Sequence, residues 1–444
     1  MQNLIFGTDG IRGIANRQLS ANLIFFIGKA LGIKLLQTPN VKHCVIVGRD
    51  NRQSSDMLFC ALSSGLMSVG INVWDVGIVT TPALSYLVSH NVCDAGVMIT
   101  ASHNSAEYNG IKIFDNAGHK IMPDYEQELV SIYNNIESFV CNESIGIIYD
   151  KKDLIHSYID KVIDYSNDIS IKNIKIAIDC ANGAGSHIIP YVFKTLLDRC
   201  DCFNCQMFNN AINKNCGSVN TASFSKIVKE NYDFGFAFDG DADRLVVVQK
   251  NGQILSGEVL LYILAKYYKL HNNLKDNRVV TTILTSISIE QALAKLGICT
   301  LRCDVGDKNV WEMMDKQNAC LGGEESGHII IKDTNPTADA LWVSVVLLKI
   351  FNEINFNIAD YTKDIVPFCL VKDDIDVSER QKTLFSSGAL KELIVNLDNE
   401  LGEDSRLIVR PSGTESVIRV LIEGKNIQLM NNVVQKIRKS ILEL

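Results

Sequence analysis

"AGVMITASHNSAEYNGIK", Ala95 to Lys112, runs from a short apolar segment into a loop crowded with serine, histidine and asparagine and ending in lysine. The apolar part reads as a buried strand. Open α/β sheets gather ligands past the ends of such strands. Similar runs recur: "CVIVGRD" (44–50), "IKIAIDC" (174–180) and "FGFAFD" (234–239). They alternate with amphipathic stretches such as "SSDMLFCALSSGLMSVG" (54–70) and "SHIIPYVFKTLLDRC" (186–200). This alternation predicts parallel α/β units.

The 444 residues are 47% hydrophobic and 21% charged, enough for several cores and about three or four domains by length. Polar stretches near Asn142–Asp153, Lys250–Gly252 and Asp360–Val366 suggest the boundaries. They give α/β domains over 1–150, 151–253 and 254–365, then a smaller C-terminal α+β domain over 366–444. No apolar run approaches the roughly 18 residues needed to cross a bilayer; "ALWVSVVLL" (340–348) is the densest. "MQNLIFGTDG" has no basic segment leading into an apolar core, so the expectation is a cytoplasmic protein without membrane attachment. A net charge of −8 without a basic run argues against nucleic-acid and anionic-membrane partners. The 13 cysteines are odd in number and scattered, and read as reduced, mostly buried small residues. "CDCFNC" (200–205) lacks the second Cys/His pair of a zinc knuckle, which favours adventitious cysteines there.

Five polar segments can carry chemistry. In "FDGDADRL" (238–245), Asp239, Asp241 and Asp243 are spaced to point to one side of an extended loop. Three converging carboxylates repel one another unless a hard cation sits among them. An EF-hand is excluded: counting Asp239 as the first loop position, Arg244 stands where glycine is required and Lys250 where glutamate is. A solvated acidic turn is the alternative, but the flanking "FGFAF" and "LVVV" favour a Mg²⁺ site.

A serine facing such a cation can carry a phosphoryl group. Ser102 lies outside any G-x-S-x-G elbow, and a neutral serine is a weak nucleophile. Lys112, read as part of the same loop, can move a proton or neutralise transferring phosphate. Taken alone, "SHN" serves equally as an Asx or Ser turn. In "GGEESGH" (322–328), Glu324, Ser326 and His328 alternate as a donor and acceptor row for sugar hydroxyls, although a histidine beside glycine is more often a plain loop residue. "RPSGTESVIR" (410–419) offers backbone N–H groups at Ser412, Gly413 and Thr414 and forked contacts from Arg410 and Arg419. That is a phosphate cradle without the Walker A pattern, or else an ordinary turn. "FGTDGIRG" (6–13) suggests a closely packed turn presenting Arg12.

These segments, in this order, resemble the α-D-phosphohexomutase superfamily and, within it, the bacterial phosphoglucosamine mutases. The likeness covers essentially the whole chain and includes "IDCANGAGSHIIPYVF" (178–193), "NKNCGS" (213–218) and "VGDKNV" (305–310). It implies four domains around a central cleft: three similar mixed α/β domains and a smaller C-terminal α+β domain. It implies that Ser102 is phosphorylated and, with Asp239, Asp241 and Asp243, holds one Mg²⁺. Glu324 and Ser326 would read sugar hydroxyls, and Arg410, Ser412, Gly413, Thr414 and Arg419 would grip the non-reacting phosphate. Arg12, Lys112, Arg244 and His328 match positions near the reacting centre, with Lys112 the first choice for proton transfer.

The implied activity interconverts glucosamine 6-phosphate and glucosamine 1-phosphate through a hexosamine 1,6-bisphosphate, feeding UDP-N-acetylglucosamine synthesis. Ser102 would be phosphorylated by that bisphosphate or by a kinase, in a monomer or homodimer. The chain departs from the family pattern with Ser105 and Ser416 for proline, Glu325 for glutamine, Lys308 for arginine, and Ala338 and Ala340 for glycine. The competing readings are a phosphomannomutase/phosphoglucomutase, a phosphatase, and a sugar-phosphate binder that has lost catalysis.

Overall fold

In the computed structural model, which describes residues 5–7, 9–39, 42–139, 143–166, 171, 174–207, 210–402, 404–412 and 416–444, the apolar runs become strands of four sheets. The chain divides into two units: Met1–Leu284 with Ile298–Tyr361, and Thr285–Gly297 with Thr362–Leu444.

The first unit holds three sheets. The first contains β1 (Ile11–Ile14), β2 (Cys44–Arg49), β3 (Asn72–Ile78), β4 (Ala95–Ile99), β5 (Tyr108–Asp115) and β6 (Ile148–Asp150), in the order β1-β5-β4-β2-β3-β6. The second contains β7 (Ile176–Asp179), β8 (Cys200–Phe203), β9 (Phe234–Phe238), β10 (Leu245–Gln249) and β11 (Ile254–Leu255), in the order β11-β10-β9-β7-β8. The third contains β12 (Arg278–Thr282), β13 (Cys299–Cys303), β14 (Leu321–Gly323) and β15 (Ile329–Ile331), in the order β13-β12-β14-β15.

The expected parallel pairing holds in part. β2–β4, β7–β9 and β12–β14 are parallel, whereas β4–β5, β9–β10 and β14–β15 are antiparallel. A parallel return needs a crossover of about a dozen residues or more. Residues 100–107, 239–244 and 324–328 are too short for one, so each connection becomes a hairpin. These hairpins contain the serine, aspartate and glutamate–histidine motifs, one from each sheet. Lys112 accordingly lies on β5, opposite Met98, rather than in the serine loop.

Helices cover the sheets closely. Ala21–Leu36 and Ser55–Met67 approach so tightly that a Cβ on Gly65 would fall 2.0 Å from the Phe25 carbonyl oxygen. The apolar helix Ala340–Glu353 begins at Asp339, whose carboxylate accepts from the Trp342 N–H at 3.0 Å, an N-cap. Asp339 also accepts from the Tyr158 hydroxyl at 2.9 Å and the Asn335 amide at 2.9 Å. Asn335 donates to the Pro82 carbonyl at 2.9 Å, so one buried cluster ties together segments around Pro82, Tyr158 and Asp339 that lie far apart in the chain. The methyl groups of Ala338 and Ala340 are buried here.

The second unit is an antiparallel sheet of β16 (Cys369–Asp376), β17 (Arg406–Pro411) and β18 (Val417–Gly424), ordered β16-β18-β17. Its core joins Ile375, Ile418 and Ile422 to Val433 and Ile437 of the helix Ile427–Leu442. The helix Ile287–Lys295 belongs here although its sequence lies between β12 and β13. Ser286 caps it, and the Glu423 carboxylate accepts from the Ile287 N–H at 2.9 Å while pairing with Arg406.

Candidate active site

The serine loop is built from carbonyls that another segment holds. Ser102 is buried in the left-handed backbone region, φ +50°, a conformation that costs a non-glycine residue about 1–3 kcal/mol unless its surroundings enforce it. Arg52 does much of that enforcing. Its guanidinium donates to the Ser102 carbonyl at 2.9 Å, Asn104 at 2.8 Å and Tyr108 at 2.9 Å, and also to Ser105. Asp50 orients Arg52 at 2.8 Å and accepts from the Thr100 hydroxyl at 2.7 Å. The Asn213 amide adds donors to the Ser102 and Asn104 carbonyls at 2.8 and 3.0 Å. Sequence reasoning missed Asp50 and Arg52. The available signal was that "GRDNR" (48–52) also follows an apolar strand.

The three aspartates converge through a tight turn rather than along an extended loop. Ala242 takes φ +56° and its N–H returns to the Asp239 carbonyl at 3.1 Å. One carboxylate oxygen from each of Asp239, Asp241 and Asp243 lies within 4.8 Å of the others, and all three residues are buried. The Ser102 hydroxyl donates to Asp239 Oδ2 at 2.7 Å. Gly240 permits this approach, because a Cβ there would sit 2.7 Å from the Ser102 carbonyl oxygen.

The charges explain what this turn can hold. Burial, with the neighbouring Asp243 and Asp241 charges, pushes the Asp239 carboxyl up to about 7. Burial alone would raise Asp243 too, but Lys112 and His328 hold it well below the usual range. Lys112, itself buried, reaches Asp241 and Asp243 at 2.8 Å each; despite burial, their charges keep its ammonium firmly protonated. Thr81 donates to Asp241 Oδ2 at 2.5 Å, while Asp241 Oδ1 is buried with no hydrogen-bond partner among the described residues. An all-oxygen set with an unpartnered carboxylate oxygen and repelling neighbours suits a hard divalent cation.

The third hairpin closes against the second. Arg244 bridges to His328, and the Leu245 N–H donates to the Gly327 carbonyl at 3.1 Å. Glu324 and His328, expected to alternate in a row facing one side, meet across a turn: Nδ1 lies 2.9 Å from Glu324 Oε2 and Nε2 lies 3.0 Å from Asp243 Oδ1. Burial lowers the affinity of this ring for a proton, but Asp243 and Glu324 outweigh it and lift His328 to about 10. With both nitrogens facing carboxylates the ring is an imidazolium, and Arg244 Nε at 3.2 Å is a neighbouring cation rather than a donor to it. Ser326 and Glu325 are exposed.

A cavity of about 330 Å³ opens over these groups, lined among others by Arg12, His103, Arg244, Glu324, Ser326 and His328. Arg12 donates to Asn104 at 3.0 Å and pairs with Asp9, which also pairs with Lys112 at 3.3 Å and with Lys120. Lys120 continues to Asp307 at 2.6 Å. Asp9, Lys120 and His103 are further residues absent from the expected set. Burial, then Arg244 and Arg12, push His103 down to about 3, leaving a neutral ring in this cationic mouth.

In the second unit, Arg410 and Arg419 stand directly opposite each other in the β17–β18 register. Like charges so placed repel, and Arg419 lies 3.8 Å from Asp374. Ser412 is buried and closes the hairpin by donating to the Val417 carbonyl at 2.9 Å. Gly413 and Thr414 lie outside the described residues.

Four family models match in turn: phosphoglucomutase/phosphomannomutase alpha/beta/alpha domain I over 3–139, domain II over 156–252, domain III over 256–368 and the C-terminal domain over 374–440. A phosphoglucosamine mutase of Thermoanaerobacter sp. (strain X514) is 38% identical over 98% of both chains. A phosphoglucomutase/phosphomannomutase family protein from Burkholderia thailandensis superposes with a TM-score of 0.81 at 23% identity, covering 98% of this chain and 96% of that one. Aspergillus fumigatus N-acetylphosphoglucosamine mutase, solved with GlcNAc-6P and magnesium, gives 0.67 at 15% identity over 98% and 95%. At those identities the two structures speak to fold alone. With most of the chain matched by the four domain models and 98% of it by a curated relative at 38% identity, it belongs to the phosphoglucomutase/phosphomannomutase family, in its phosphoglucosamine mutase branch.

Proposed function

We propose that this isomerase interconverts glucosamine 6-phosphate and glucosamine 1-phosphate, with Ser102 carrying the phosphoryl group. The observation that carries the reading is the Ser102 hydroxyl, held 2.7 Å from Asp239 at the edge of three buried carboxylates. A phosphoserine there has about −1.5 to −2 charge, which that setting repels unless cations balance it. A magnesium ion held by Asp239, Asp241, Asp243 and the serine phosphate would, when bound, supply that charge and polarise the phosphorus.

The chain's own groups do the rest. The bond from phosphorus to Ser102 Oγ breaks as a bond to the free sugar hydroxyl forms; the hydroxyl gives up its proton and Oγ gains one. Lys112 carries transferable protons on Nζ and is our candidate donor. Arg12, Arg244 and the His328 imidazolium place positive charge around the moving phosphoryl group. Glu324 and Ser326 orient the sugar hydroxyls, and Arg410, Ser412, Gly413, Thr414 and Arg419 hold the phosphate that stays. The resulting 1,6-bisphosphate turns over and returns its other phosphoryl group to Ser102; the same bisphosphate, or a kinase, first charges the serine. Domain limits near residues 150, 253 and 365, a cytoplasmic location and a monomeric or dimeric state complete the reading.

Glu325 favours an amino sugar over glucose or mannose, since its exposed carboxylate lines the cavity rim where an ammonium group can meet it. The test compares glucosamine, glucose and mannose 6-phosphates with Mg²⁺ and trace hexose 1,6-bisphosphate, using Ser102→Ala as control. Preference for the glucosamine ester, lost in the variant, is the expected result. Equal turnover by Ser102→Ala would discard the phosphoserine scheme. Preference for a neutral sugar would move the chain to phosphomannomutase/phosphoglucomutase chemistry.

A further inference from the structure

Four cysteines that the mechanism does not use lie together at one end of the second sheet. β7 and β8 run parallel with Ile176 opposite Cys200 and Ile178 opposite Cys202. Side chains two residues apart share a face, so Cys200 and Cys202 line up beside the position of Cys180, just past the end of β7. Asn204, at φ +51°, then bends the chain and returns Cys205 to this face. Cys200 Sγ lies 4.0 Å from Cys202 Sγ, and the Cys205 thiol donates to the Phe203 carbonyl at 3.3 Å with Cys202 and Cys180 as its neighbouring thiols. Cys180 is buried, while Cys200, Cys202 and Cys205 are half-buried.

The sulfurs form a row rather than a nest. Among the described residues, mutual metal-ligand spacing occurs at the three aspartates and not here. A tetrahedral zinc site needs all ligands around one point. Cys202 and Cys205, by contrast, stand in Cys-x-x-Cys spacing directly after a parallel strand, a pattern suited to reversible disulfide chemistry. Hydrogen bonds from Cys200 and Cys205 outweigh burial and bring the Cys202 thiol down to about 4, marking it as the thiolate of the row.

We propose that Cys202 and Cys205 form a dithiol/disulfide site for low-molecular-weight disulfides, and that closing it slows the mutase. The Cys202 thiolate attacks one sulfur of the disulfide, forming a mixed disulfide and releasing one thiolate. Cys205 then attacks Cys202 Sγ, forming the Cys202–Cys205 bond and expelling the second thiolate. Two electrons pass to the oxidant; one released thiolate takes the Cys205 proton and the other is protonated from water.

The site is wired to the catalytic loops through backbone. The Phe203 and Asn204 carbonyls accept from the N–H groups of Cys180 at 3.1 Å and Asn182 at 2.6 Å, and the Gln206 N–H donates to the Asn182 side chain at 3.0 Å. From that "CANG" segment (180–183), Ala181 accepts from the Asn213 N–H at 2.8 Å, and Asn213 in turn holds the Ser102 carbonyl. Next along, the Ala184 N–H donates to the Gly240 carbonyl at 2.7 Å, within the aspartate turn. Bringing two sulfurs to about 2.05 Å draws in the Phe203–Cys205 bend and disturbs both loops through these bonds.

The experiment incubates the full-length enzyme with glutathione disulfide, alkylates the remaining thiols and maps the peptides by mass, alongside turnover of glucosamine 6-phosphate. Expected are loss of alkylation at Cys202 and Cys205, a linked peptide, and a several-fold fall in rate, all reversed by dithiothreitol. Cys205→Ser should stop at the mixed disulfide on Cys202, and Cys202→Ala should form neither species. Full alkylation at both positions after oxidation, with the exposed Cys60, Cys299 and Cys369 reacting alone, would overturn the site. A mapped bond with an unchanged rate would overturn its regulatory role. The rate readout rests on the mutase reading, but the mass readout needs no substrate, so the two can fail separately.

Discussion

Arg52→Lys separates the support of the serine loop from its chemistry. The buried guanidinium serves Asp50 and the carbonyls of Ser102, Asn104, Ser105 and Tyr108. A lysine ammonium has three donors radiating from one point, so at least two of these acceptors lose their partner. Hydrogen bonds to a charged group are worth about 1.5–3 kcal/mol each, so after partial relaxation and water entry the loop loosens by about 2–4 kcal/mol. If the Ser102 carbonyl is one of those acceptors, it keeps its Asn213 contact alone among the described side-chain donors. A reacting atom misplaced by about 1 Å can lower turnover about 10²-fold. The expected outcome is therefore a fall in kcat of that order with KM nearly unchanged, since no proposed substrate-contacting residue is altered. Hydrogen exchange should quicken over residues 101–109 and stay unchanged in β7–β9, which tells local loosening from global unfolding. Wild-type kcat with wild-type exchange in that segment would refute the claim that Arg52 enforces the left-handed Ser102 conformation.

Three other outcomes follow from the same structure. Asp241→Asn removes a charge from the aspartate turn and should weaken Mg²⁺ binding, measured by calorimetry, by more than about tenfold, since loss of an outer-shell partner alone has at least that effect; undiminished affinity would take the cation away from this turn. Gly65→Ala drives a methyl group to 2.0 Å from the Phe25 carbonyl oxygen and 2.8 Å from the Lys29 nitrogen, both backbone atoms that can yield only if the helices separate. Overpacking of this kind costs about 1–3 kcal/mol or more, so the thermal midpoint should fall by several degrees, and an unchanged midpoint would mean the helix pair is looser than described. Arg419→Ala should raise KM for the sugar phosphate about tenfold or more, the value of one charge-assisted hydrogen bond, with kcat less affected; an unchanged KM would remove Arg419 from the phosphate cradle.

What the sequence made legible was whatever lies within one short segment. Asp239, Asp241 and Asp243 could be paired with a cation because their spacing and their apolar flanks are both local, although the turn through Ala242, not an extended backbone, brings them together. Ser102 could be singled out because it follows a buried strand. Its left-handed φ could not, since that conformation is imposed by Arg52, 50 residues earlier, and by Asn213, 111 residues later. Asp9 and Lys120 were invisible for the same reason: each is an ordinary charged residue until β1 and the segment after β5 bring both to Lys112 and Asp307. Alternation of strands and helices predicted parallel sheets, yet loop length decides handed return against hairpin, and the three loops that carry the serine, aspartate and glutamate–histidine motifs were also too short to cross over. The two facts share a cause. A hairpin at the end of a central parallel strand projects its turn beyond the sheet on two hydrogen-bonded strands, a more rigid mount than a crossover loop. Three such mounts in one unit let a serine, a carboxylate cluster and an imidazolium be fixed within hydrogen-bonding reach of one another, and a phosphoryl carrier needs that arrangement from its fold.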